Sequence, residues 1–515
     1  MITLIVICLV VATFYWWLRC KFNYWKRHDF DQLEPTIPVG NFGPFFRQRL
    51  SINENYLQMY ERSRHLPLVG IYISLRPALL VNDPELVRNV LVRDFEYFHN
   101  RGFCLNVDKD PLSEHLFALQ GDDWRYHRSR LNPAFGTNRL REMVPNMVKI
   151  SQVLQEHVGK FAESGAQVDV REIMSRYYID LIASVGFGVE IDSINNSSHE
   201  FRQMSIKVLE PTWKNVLRLG STIFMPKVKD WLGFKMIAQE VEDFMLNLVN
   251  SIAQEREKSG TIRKDIMQLL LQLRNTGSVS TNEDRWDVGM STSAKMLSFE
   301  QITAHALVFF VAGYETSAST ITFCLYELCR NPAIQRKVQQ EIDAVIDDHC
   351  ESITYDHLTR LKYLESCIDE TLRKYPVIAF LNRECTKDYR VPGTNKTIPK
   401  GTPIVISTLG LQRDPNLYPD PNRFNPGRFS DLKSKIADRP IGKYLPCLSF
   451  GAGPHICIGQ RLGKLQILLG LIAVLSKFDV QLAEASDGEL KFNKRSIITC
   501  SEKPICMIFT ERRSF

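Results

Sequence analysis

Apolar and polar positions recur at a helical period over most of this 515-residue chain. From about residue 120 to residue 485 the pattern is mainly helical, and the longest predicted helix covers residues 299–330. Ser298 and Gln301 form a capping box at its start, and Asn331-Pro332 ends it. A helix of this length reaches nearly 50 Å, enough to cross a whole domain.

Short runs of β-branched and apolar residues predict a small amount of sheet. Residues 68–81 predict a hairpin, and a helix over residues 85–92 follows the turn. Further strands are expected near residues 403–406 and 505–509. The hydropathy pattern therefore predicts a mainly α fold with a small β region.

The first 18 residues predict a membrane anchor, because residues 2–18 are almost wholly apolar. A helix of this length spans about 26 Å, near the lower limit for crossing a bilayer. The basic residues that follow favour a cytosolic position for the rest of the chain. A cleaved signal peptide is the alternative. It fits poorly, because the start lacks Lys and Arg and the bulky exit, Phe14-Tyr15-Trp16-Trp17, offers no small-residue cleavage site.

Composition adds two limits. The net charge of +6 is spread too diffusely for a nucleic-acid binder, and the twelve cysteines form no CxxC pair. Cysteines without framework spacing in a long chain indicate reduced thiols in a reducing compartment. No internal boundary or repeat stands out. The predicted division is an anchor over residues 1–19, a linker over 20–44 and one catalytic domain over 45–515.

A glycine-laced loop surrounds Cys457. Residues 450–459 read Phe-Gly-Ala-Gly-Pro-His-Ile-Cys-Ile-Gly, and a helical run follows. Backbone N–H groups at close range moderate the charge of a thiolate. We expect Gly451, Gly453 and Gly459 to allow the unusual φ and close approach that this requires. Thiolate is also the ligand that iron takes when O–O cleavage must be driven. We predict Cys457 as an iron ligand, with a buried free thiol as the alternative.

The long helix carries Ala312-Gly313-Tyr314-Glu315-Thr316 near its middle. Ala312 and Thr316 are four residues apart and share a face. Gly313 removes a side chain and is expected to loosen the backbone. A local opening beside an iron centre would give O2 a groove, a hydroxyl donor and a nearby acid, which proton delivery requires. The alternative is a buried helix with one snorkelling glutamate.

Two further pairs have helical spacing. Trp124 and Arg128 share one face, and an indole N–H beside a guanidinium suits a dicarboxylate. A solvated amphipathic helix is the alternative there. Glu370 and Arg373 place opposite charges at i, i+3, for which the alternative is a surface ion pair of small energetic value.

The order of these motifs resembles the cytochrome P450 family over residues 30 to 515. Trp-x-x-x-Arg, Ala-Gly-x-Glu-Thr, Glu-x-x-Arg, Pro-x-Arg-Phe and the cysteine loop follow one another as in that family. The resemblance implies a cytochrome P450 fold preceded by a single N-terminal transmembrane helix. It implies haem b, with Cys457 as the axial iron ligand. His455 stands where the family usually has an arginine that pairs with a haem propionate. The implied haem-contacting residues are Cys457, Trp124, Arg128, Arg383, His455, Arg101, Phe450 and Ala312.

The resemblance also implies roles for residues that do not hold the cofactor. Thr316 and Glu315 would be catalytic and deliver protons to bound O2. Glu370, Arg373 and Arg428 would be structural and lock the segment that leads to the cysteine loop.

The expected partners follow from what the chain lacks. No glycine motif for a nucleotide or flavin cofactor is present, so electrons must come from another protein. The resemblance implies NADPH–cytochrome P450 reductase, in some members with cytochrome b5, at the endoplasmic reticulum membrane with the catalytic domain on the cytosolic face. It also implies O2 and an apolar small-molecule substrate, with no nucleic acid. The cations predicted to dock an acidic electron donor, unless they form only a solvated basic face, are Arg125, Arg130, Arg461 and Lys464.

Substrate class rests on local likeness. Residues 113–117, 309–314 and 372–376 look most like insect microsomal members that oxidise plant toxins and insecticides. Apolar residues over 222–234 predict a surface that dips into the membrane, with ordinary core as the alternative. The candidate pocket walls, each of which could instead be packing, are Phe103, Phe309, Ala312, Ile378, Ala379 and Phe380.

We therefore predict a haem-thiolate monooxygenase acting on xenobiotics or endogenous lipids. One alternative is a haem-thiolate isomerase or dehydratase that acts on peroxides without a reductase. Another is a non-catalytic haem binder. The Glu315-Thr316 pair argues against both.

Overall fold

The computed structural model describes residues 2–103, 107–210, 212–225, 231, 233–280, 296–346, 352–430 and 447–512. The α-helices are α1 Ile2–Lys21, α2 Tyr24–Arg27, α3 Gly43–Phe46, α4 Ile52–Ser63, α5 Pro84–Arg88, α6 Gly121–Leu131, α7 Thr137–Ser164, α8 Val170–Ile182, α9 Glu200–Leu209, α10 Trp213–Phe224, α11 Gln239–Ser259, α12 Ile266–Thr276, α13 Phe299–Arg330, α14 Pro332–Val345, α15 Tyr355–Arg360, α16 Lys362–Lys374, α17 Thr408–Gln412 and α18 Gln460–Leu475. The strands are β1 Leu68–Ile73, β2 Arg76–Val81, β3 Val168–Asp169, β4 Phe380–Glu384, β5 Tyr389–Arg390, β6 Thr397–Ile398, β7 Pro403–Ser407, β8 Phe478–Leu482 and β9 Cys506–Glu511.

The central element is α13, and its predicted bounds are confirmed. The Ser298 hydroxyl accepts a hydrogen bond from Gln301 N, and the Gln301 side chain accepts one from Ser298 N at 3.0 Å. These two bonds satisfy donors that a helix start leaves unpaired. Most of α13 is buried against α8, α16 and α18. The helix therefore forms the axis on which the candidate site is built.

Small sheets lie beside the helical body. The predicted hairpin is confirmed: β1 and β2 pair antiparallel, with Leu68 opposite Val81. Strand β7 runs parallel to β2, and β4 completes the order β1-β2-β7-β4. A second sheet has the order β3-β9-β8. The predicted fold class, mainly α with a small β region, is confirmed.

Two described helices are long and apolar enough to cross a membrane, α1 and α13. Most of α13 is buried inside the body, whereas α1 is almost entirely exposed. Because exposed apolar side chains are costly in water, α1 is the candidate anchor. Leu18, near its C-terminal end, is buried.

The segment predicted as a linker is packed against β1. Trp25 is completely buried, and its indole N–H donates to the Ile71 carbonyl at 3.1 Å. A Cβ at Gly70 would lie 2.4 Å from the Trp25 ring, so only glycine admits the indole there. Phe22 and Phe30 are buried in the same cluster. Aromatic residues thus bring this segment into the core, and the packed body begins before residue 45.

Candidate functional site

The cysteine loop is a tight turn closed by backbone hydrogen bonds. Cys457 N donates to the Phe450 carbonyl at 2.8 Å. Gly451 and Gly453 have φ values of +74° and +68°, and a Cβ at Gly453 would lie 2.0 Å from the Leu91 carbonyl. Glycine is therefore required at both positions. Gly459 has an ordinary φ of −87°, so the expectation of an unusual φ there was wrong.

Gln412, which sequence reasoning missed, holds the start of this loop. Its side-chain oxygen accepts from Leu448 N at 2.8 Å, and its amide nitrogen donates to the Arg373 carbonyl at 2.9 Å. Its own carbonyl accepts from the Arg373 guanidinium at 2.8 Å. Gln412 therefore joins the cysteine loop to the end of α16.

Glu370, Arg373 and Arg428 form a closed triad. Arg373 binds both carboxylate oxygens of Glu370, at 2.7 and 2.9 Å, and both side chains are fully buried. Arg428 Nε donates to the same carboxylate at 3.3 Å, as does Asn425 N at 2.9 Å. Buried charges need such complete pairing. The geometry supports the structural role predicted for these residues.

The Cys457 thiol lines an internal opening. The side chain is accessible to solvent, yet protein surrounds it closely enough that burial raises the pKa of the thiol. Three groups act in the opposite direction and favour the thiolate: the Gly459 N–H, Arg128 and Arg101. The positive surroundings suit a sulfur atom that carries negative charge.

Arg101 and Arg128 act on Cys457, Arg383 acts on Arg101, and we call these three arginines the cation cluster. Burial lowers the pKa of each of them, that of Arg383 to about 10. Arg383 and Arg128 also repel Arg101 and lower its pKa further, and the Cys457 thiolate is the one group that raises it. No carboxylate within the described parts of the chain pairs with these three arginines. Arg383 is buried and Arg101 and Arg128 are half-buried. Cations removed from water without a counter-charge indicate a place for an anion.

Two buried donors beside the cation cluster also lack partners. Neither the indole N–H of Trp124 nor Nε of Arg383 meets an acceptor among the described residues. Buried donors without acceptors are rare in folded proteins and call for an unseen partner. Two carboxylates would satisfy both donors and supply two negative charges to the three arginines. The residues present therefore fit the propionates of a haem.

His455 is packed and hydrogen-bonded beside the cysteine loop. Its ring lies 4.0 Å from that of Trp124, between centroids, and Nε2 donates to the His99 carbonyl at 2.7 Å. Burial, followed by Arg101 and Arg383, lowers the pKa of His455 to about 2. Nδ1 meets no partner among the described residues, and the contact of His455 with a propionate stays a prediction.

Opposite the loop, α13 presents Ala312 and Thr316. Ala312 is exposed although Phe310 and Tyr314 beside it are buried, which marks an internal opening. The Thr316 hydroxyl donates to the Ala312 carbonyl at 2.7 Å. A Cβ at Gly463 of α18 would lie 3.8 Å from Ser317 Oγ, so the cysteine loop, which immediately precedes α18, lies near this turn of α13.

Gly313 does not open the helix as expected. Helix α13 is continuous through this residue, and a Cβ there would lie 2.7 Å from Ile182 Cδ1. The glycine therefore allows α8 to approach closely. The expected loosening of the backbone is not seen, and close packing of α8 accounts for the glycine at this position.

Glu315 is buried in an ion pair that the sequence did not reveal. Arg171 of α8 donates to its carboxylate at 2.5 Å. Burial lowers the pKa of Arg171, but Glu315 and Cys500 outweigh it and the net shift is upward. Glu315 is therefore held on the α8 side of α13.

The candidate pocket walls divide into two groups. Phe103 stacks near Phe117 at 5.4 Å and Phe309 lies 5.3 Å from Phe135, and both are only half-buried. Ile378 is also half-buried, whereas Ala379 and Phe380 are buried. The Phe380 ring packs 4.7 Å from Tyr56. Core packing, the alternative, therefore describes Ala379 and Phe380.

The four predicted docking cations also differ. Lys464 is largely buried and pairs with Asp369 at 2.6 Å and Glu365 at 3.4 Å. Arg125 and Arg461 are exposed. Both still have a partner on the surface, because Arg125 lies 3.5 Å from Asp122 and Arg461 donates to Thr137 Oγ1 at 3.1 Å.

Comparison with known proteins gives the same assignment. The cytochrome P450 family profile matches residues 34–509. Probable cytochrome P450 6d5 of Drosophila melanogaster is 36% identical over 488 residues, 94% of each chain. Cytochrome P450 6d1 of Musca domestica is 36% identical over 502 residues, 95% of this chain and 96% of its own. Cytochrome P450 6k1 of Blattella germanica is 32% identical over 514 residues, 99% and 97% of the two chains. With its cysteine loop, cation cluster and near-complete match, the chain belongs to the cytochrome P450 family of haem-thiolate monooxygenases, which use O2 and a redox partner.

Proposed function

We propose that this chain oxidises apolar small molecules, such as xenobiotics, insecticides, plant toxins or endogenous lipids, at the endoplasmic reticulum membrane. Its electrons would come from NADPH–cytochrome P450 reductase, with cytochrome b5 as an additional donor. A substrate C–H becomes C–OH, and the second oxygen atom of O2 leaves as water. NADPH supplies two electrons and one proton, and solvent supplies the other proton. The observation that carries the proposal is Cys457 beside cations that lack an anion.

Haem b suits this site because its two propionates match the unpaired donors. Arg101, Arg128, Arg383 and Trp124 would hold the propionates, and Cys457 would hold the iron. When bound, the haem supplies an iron centre at which O2 is activated. The Gly459 N–H and the nearby arginines favour the thiolate form of Cys457 for this purpose.

Thr316 is proposed to hold and release a proton at the opening between α13 and the cysteine loop. In the structure its hydroxyl proton points to the Ala312 carbonyl. Rotation about χ1 frees that proton toward the opening, and the carbonyl restores the resting position. Thr322 makes the same bond, to Ala318, but is buried. Exposure toward the opening therefore distinguishes Thr316 from an ordinary helical threonine.

Glu315 can supply protons only by leaving Arg171. While the ion pair holds, the carboxylate points toward Arg171 and α8. Its proposed role is thus a relay that acts when Arg171 releases it. Glu315→Gln removes the charge and keeps the shape, which separates the relay from simple packing.

Exposed apolar residues support a second membrane contact beside the anchor. Trp213, Leu217, Met225, Trp231 and Phe234 are exposed, on and after α10. The Phe224 ring lies 5.0–5.6 Å from Phe42, Phe45 and Phe46, in the segment that follows the anchor. The exposed apolar residues of α10 therefore lie beside the segment between the anchor and α4, as expected of one membrane-facing side. Pro226 and Leu232, within the surface predicted to enter the membrane, lie outside the described residues.

The reduced, CO-bound absorption spectrum tests the proposed ligand. The unmodified protein should show the thiolate-type Soret band, and apolar ligands should shift the iron spin state. Cys457→Ala should abolish the band, whereas Cys506→Ala should keep it. A protein that binds no haem, or holds its iron through an imidazole, would end the proposal.

NADPH coupling tests the proton role. With reductase, Thr316→Ala should keep the Soret band but consume NADPH without a matching yield of product. Thr322→Ala, which removes the equivalent buried hydroxyl, should leave the ratio of product to NADPH unchanged. An unchanged ratio in Thr316→Ala would refute the role of this hydroxyl.

A further inference from the structure

Three buried histidines connect α6, α13 and the segment that precedes α6. His127 Nδ1 lies 2.8 Å from His305 Nε2, and His305 Nδ1 lies 3.3 Å from Leu116 N. His115 is next to Leu116 in the chain, and all three imidazoles are buried. Nothing in the proposed mechanism uses them.

The hydrogen bonds fix where the protons lie. A backbone N–H can only donate, so His305 Nδ1 must accept from Leu116 and carry no proton. The proton of His305 is then on Nε2 and is donated to Nδ1 of His127. Burial, followed by repulsion from His127 and His115, keeps the pKa of His305 well below its usual range. His305 is thus a neutral, directional link between α6 and residue 116.

His305 lies on the side of α13 that faces the opening. It is four, seven and eleven residues before Phe309, Ala312 and Thr316, spacings that share one helical face. His305 is therefore about two helical turns from Ala312, the residue at which the opening begins.

Residues 115–117, which we call the strap, are held from a second side by Arg101. Its guanidinium donates to the carbonyls of Leu116 and Phe117, at 3.4 and 3.1 Å, and covers the Phe117 ring at 4.9 Å. Phe117 is half exposed and stacks near Phe103. The strap therefore spans the distance between the cation cluster and α13.

We propose that His305 is a positioning residue that holds the strap against α13 and thereby sets which carbon of an apolar substrate is oxidised. It acts through Leu116 N–H and is itself oriented by His127. The inference rests on the proposed function and adds to it a determinant of regioselectivity. An apolar substrate offers few directional contacts, so the wall that the strap provides decides its orientation.

Two substitutions separate positioning from packing. In His305→Gln the amide can accept from Leu116 and donate to His127, whereas His305→Leu can do neither. Losing one hydrogen bond should speed amide exchange over residues 112–120 about fivefold in His305→Leu. The product ratio from hexylbenzene should change about threefold or more in the same variant. His305→Gln should restore both values to near those of the unmodified protein.

Leu307→Ala is the matched control, because Leu307 is buried on the same helix two residues away and so points elsewhere. It should lower stability without changing exchange over residues 112–120. Unchanged exchange and products in His305→Leu would overturn the proposal, as would equal changes in His305→Gln and His305→Leu.

A measurement on the unmodified protein covers the case in which His305→Leu fails to fold. Solid-state NMR of 15N-histidine protein in lipid nanodiscs, in the reduced CO-bound form, should place the His305 proton on Nε2. A proton on Nδ1 would overturn the link to Leu116. If the protein lacks reductase-dependent turnover, the proposed function fails, while the exchange and NMR results still judge the link.

Discussion

The closed triad and the cation cluster both gather buried arginines, yet only the triad contains its own anion. Glu370 receives bonds from Arg373, Arg428 and a backbone N–H. Arg101 and Arg383 have carbonyl oxygens as their described hydrogen-bond acceptors, and Arg383 retains an unpaired Nε. Buried charge with a complete set of partners serves structure, whereas buried charge without one indicates a ligand. The comparison explains why similar residues have different roles in one fold.

The largest effect should follow from breaking the triad. Glu370→Gln leaves two buried guanidinium groups without a counter-charge, at a cost of about 3–5 kcal/mol. We expect little folded, haem-containing protein and a lower thermal midpoint. The reduced, CO-bound absorption spectrum measures the yield of haem-containing protein, and thermal unfolding measures the midpoint. Glu365→Gln, on the same helix, leaves Lys464 paired with Asp369 and should change little. A stable Glu370→Gln protein would contradict the structural role.

Breaking the cation cluster should instead weaken cofactor binding. Arg383→Met removes one side of a buried charge pair with a propionate, worth about 2–5 kcal/mol. Haem transfer to apomyoglobin should become at least about 30-fold faster. The haem-free variant should be no less stable than the haem-free unmodified protein, because Arg383 repels Arg101 when no anion is bound. Arg390→Met, at an exposed position, is the control. An unchanged rate of haem transfer in Arg383→Met would contradict the proposed role of the cation cluster in binding an anion.

Burial of His115 near Arg101 predicts that the stability of the fold depends on pH. Burial, followed by Arg101, lowers the pKa of His115 to about 4. In the unfolded chain histidine titrates near 6.5. Below that pH the unfolded state binds a proton that the folded state refuses until about pH 4. Stability therefore falls on acidification through this window, by up to about 1.4 kcal/mol per pH unit.

Denaturation midpoints at pH 7, 6 and 5 measure this effect. In His115→Gln, the free energy of unfolding should fall less steeply with decreasing pH, because one fewer proton is taken up on unfolding. Arg101→Met should reduce this slope less, because it removes repulsion and leaves burial unchanged. Equal slopes in all three proteins would show that His115 does not titrate as described.

The smallest effects belong to the exposed cations. Arg125→Ala and Arg461→Ala should change stability by less than about 0.5 kcal/mol. At low salt, both variants should need about twice as much reductase as the unmodified protein for the same turnover. This difference should disappear at high salt, because salt screens the electrostatic steering of the reductase. Lys464→Ala should reduce stability more than it affects the reductase. The opposite order would mean that Lys464 is part of the docking face.

The sequence could predict members of both arginine groups, because motif order and spacing identify them. It could not predict which groups were already paired. The partners of Glu315 and His455, Arg171 and the His99 carbonyl, lie 144 and 356 residues away and belong to no motif. Helix bounds were predictable at α13 because the capping box and Asn331-Pro332 are local signals. The role of Gly313 was not, because it depends on Ile182 of another helix.

The indole of Trp25 under Gly70 has a mechanical consequence. Leu18 at the end of the anchor shares a cluster with Trp25 and Tyr72. The end of the candidate anchor is therefore packed into the enzyme body, and no flexible linker separates the two. If the anchor spans a bilayer, every molecule should have the same tilt and height relative to the lipid. A shortened form without the anchor needs to begin before Phe22, because Phe22 and Trp25 belong to the buried cluster.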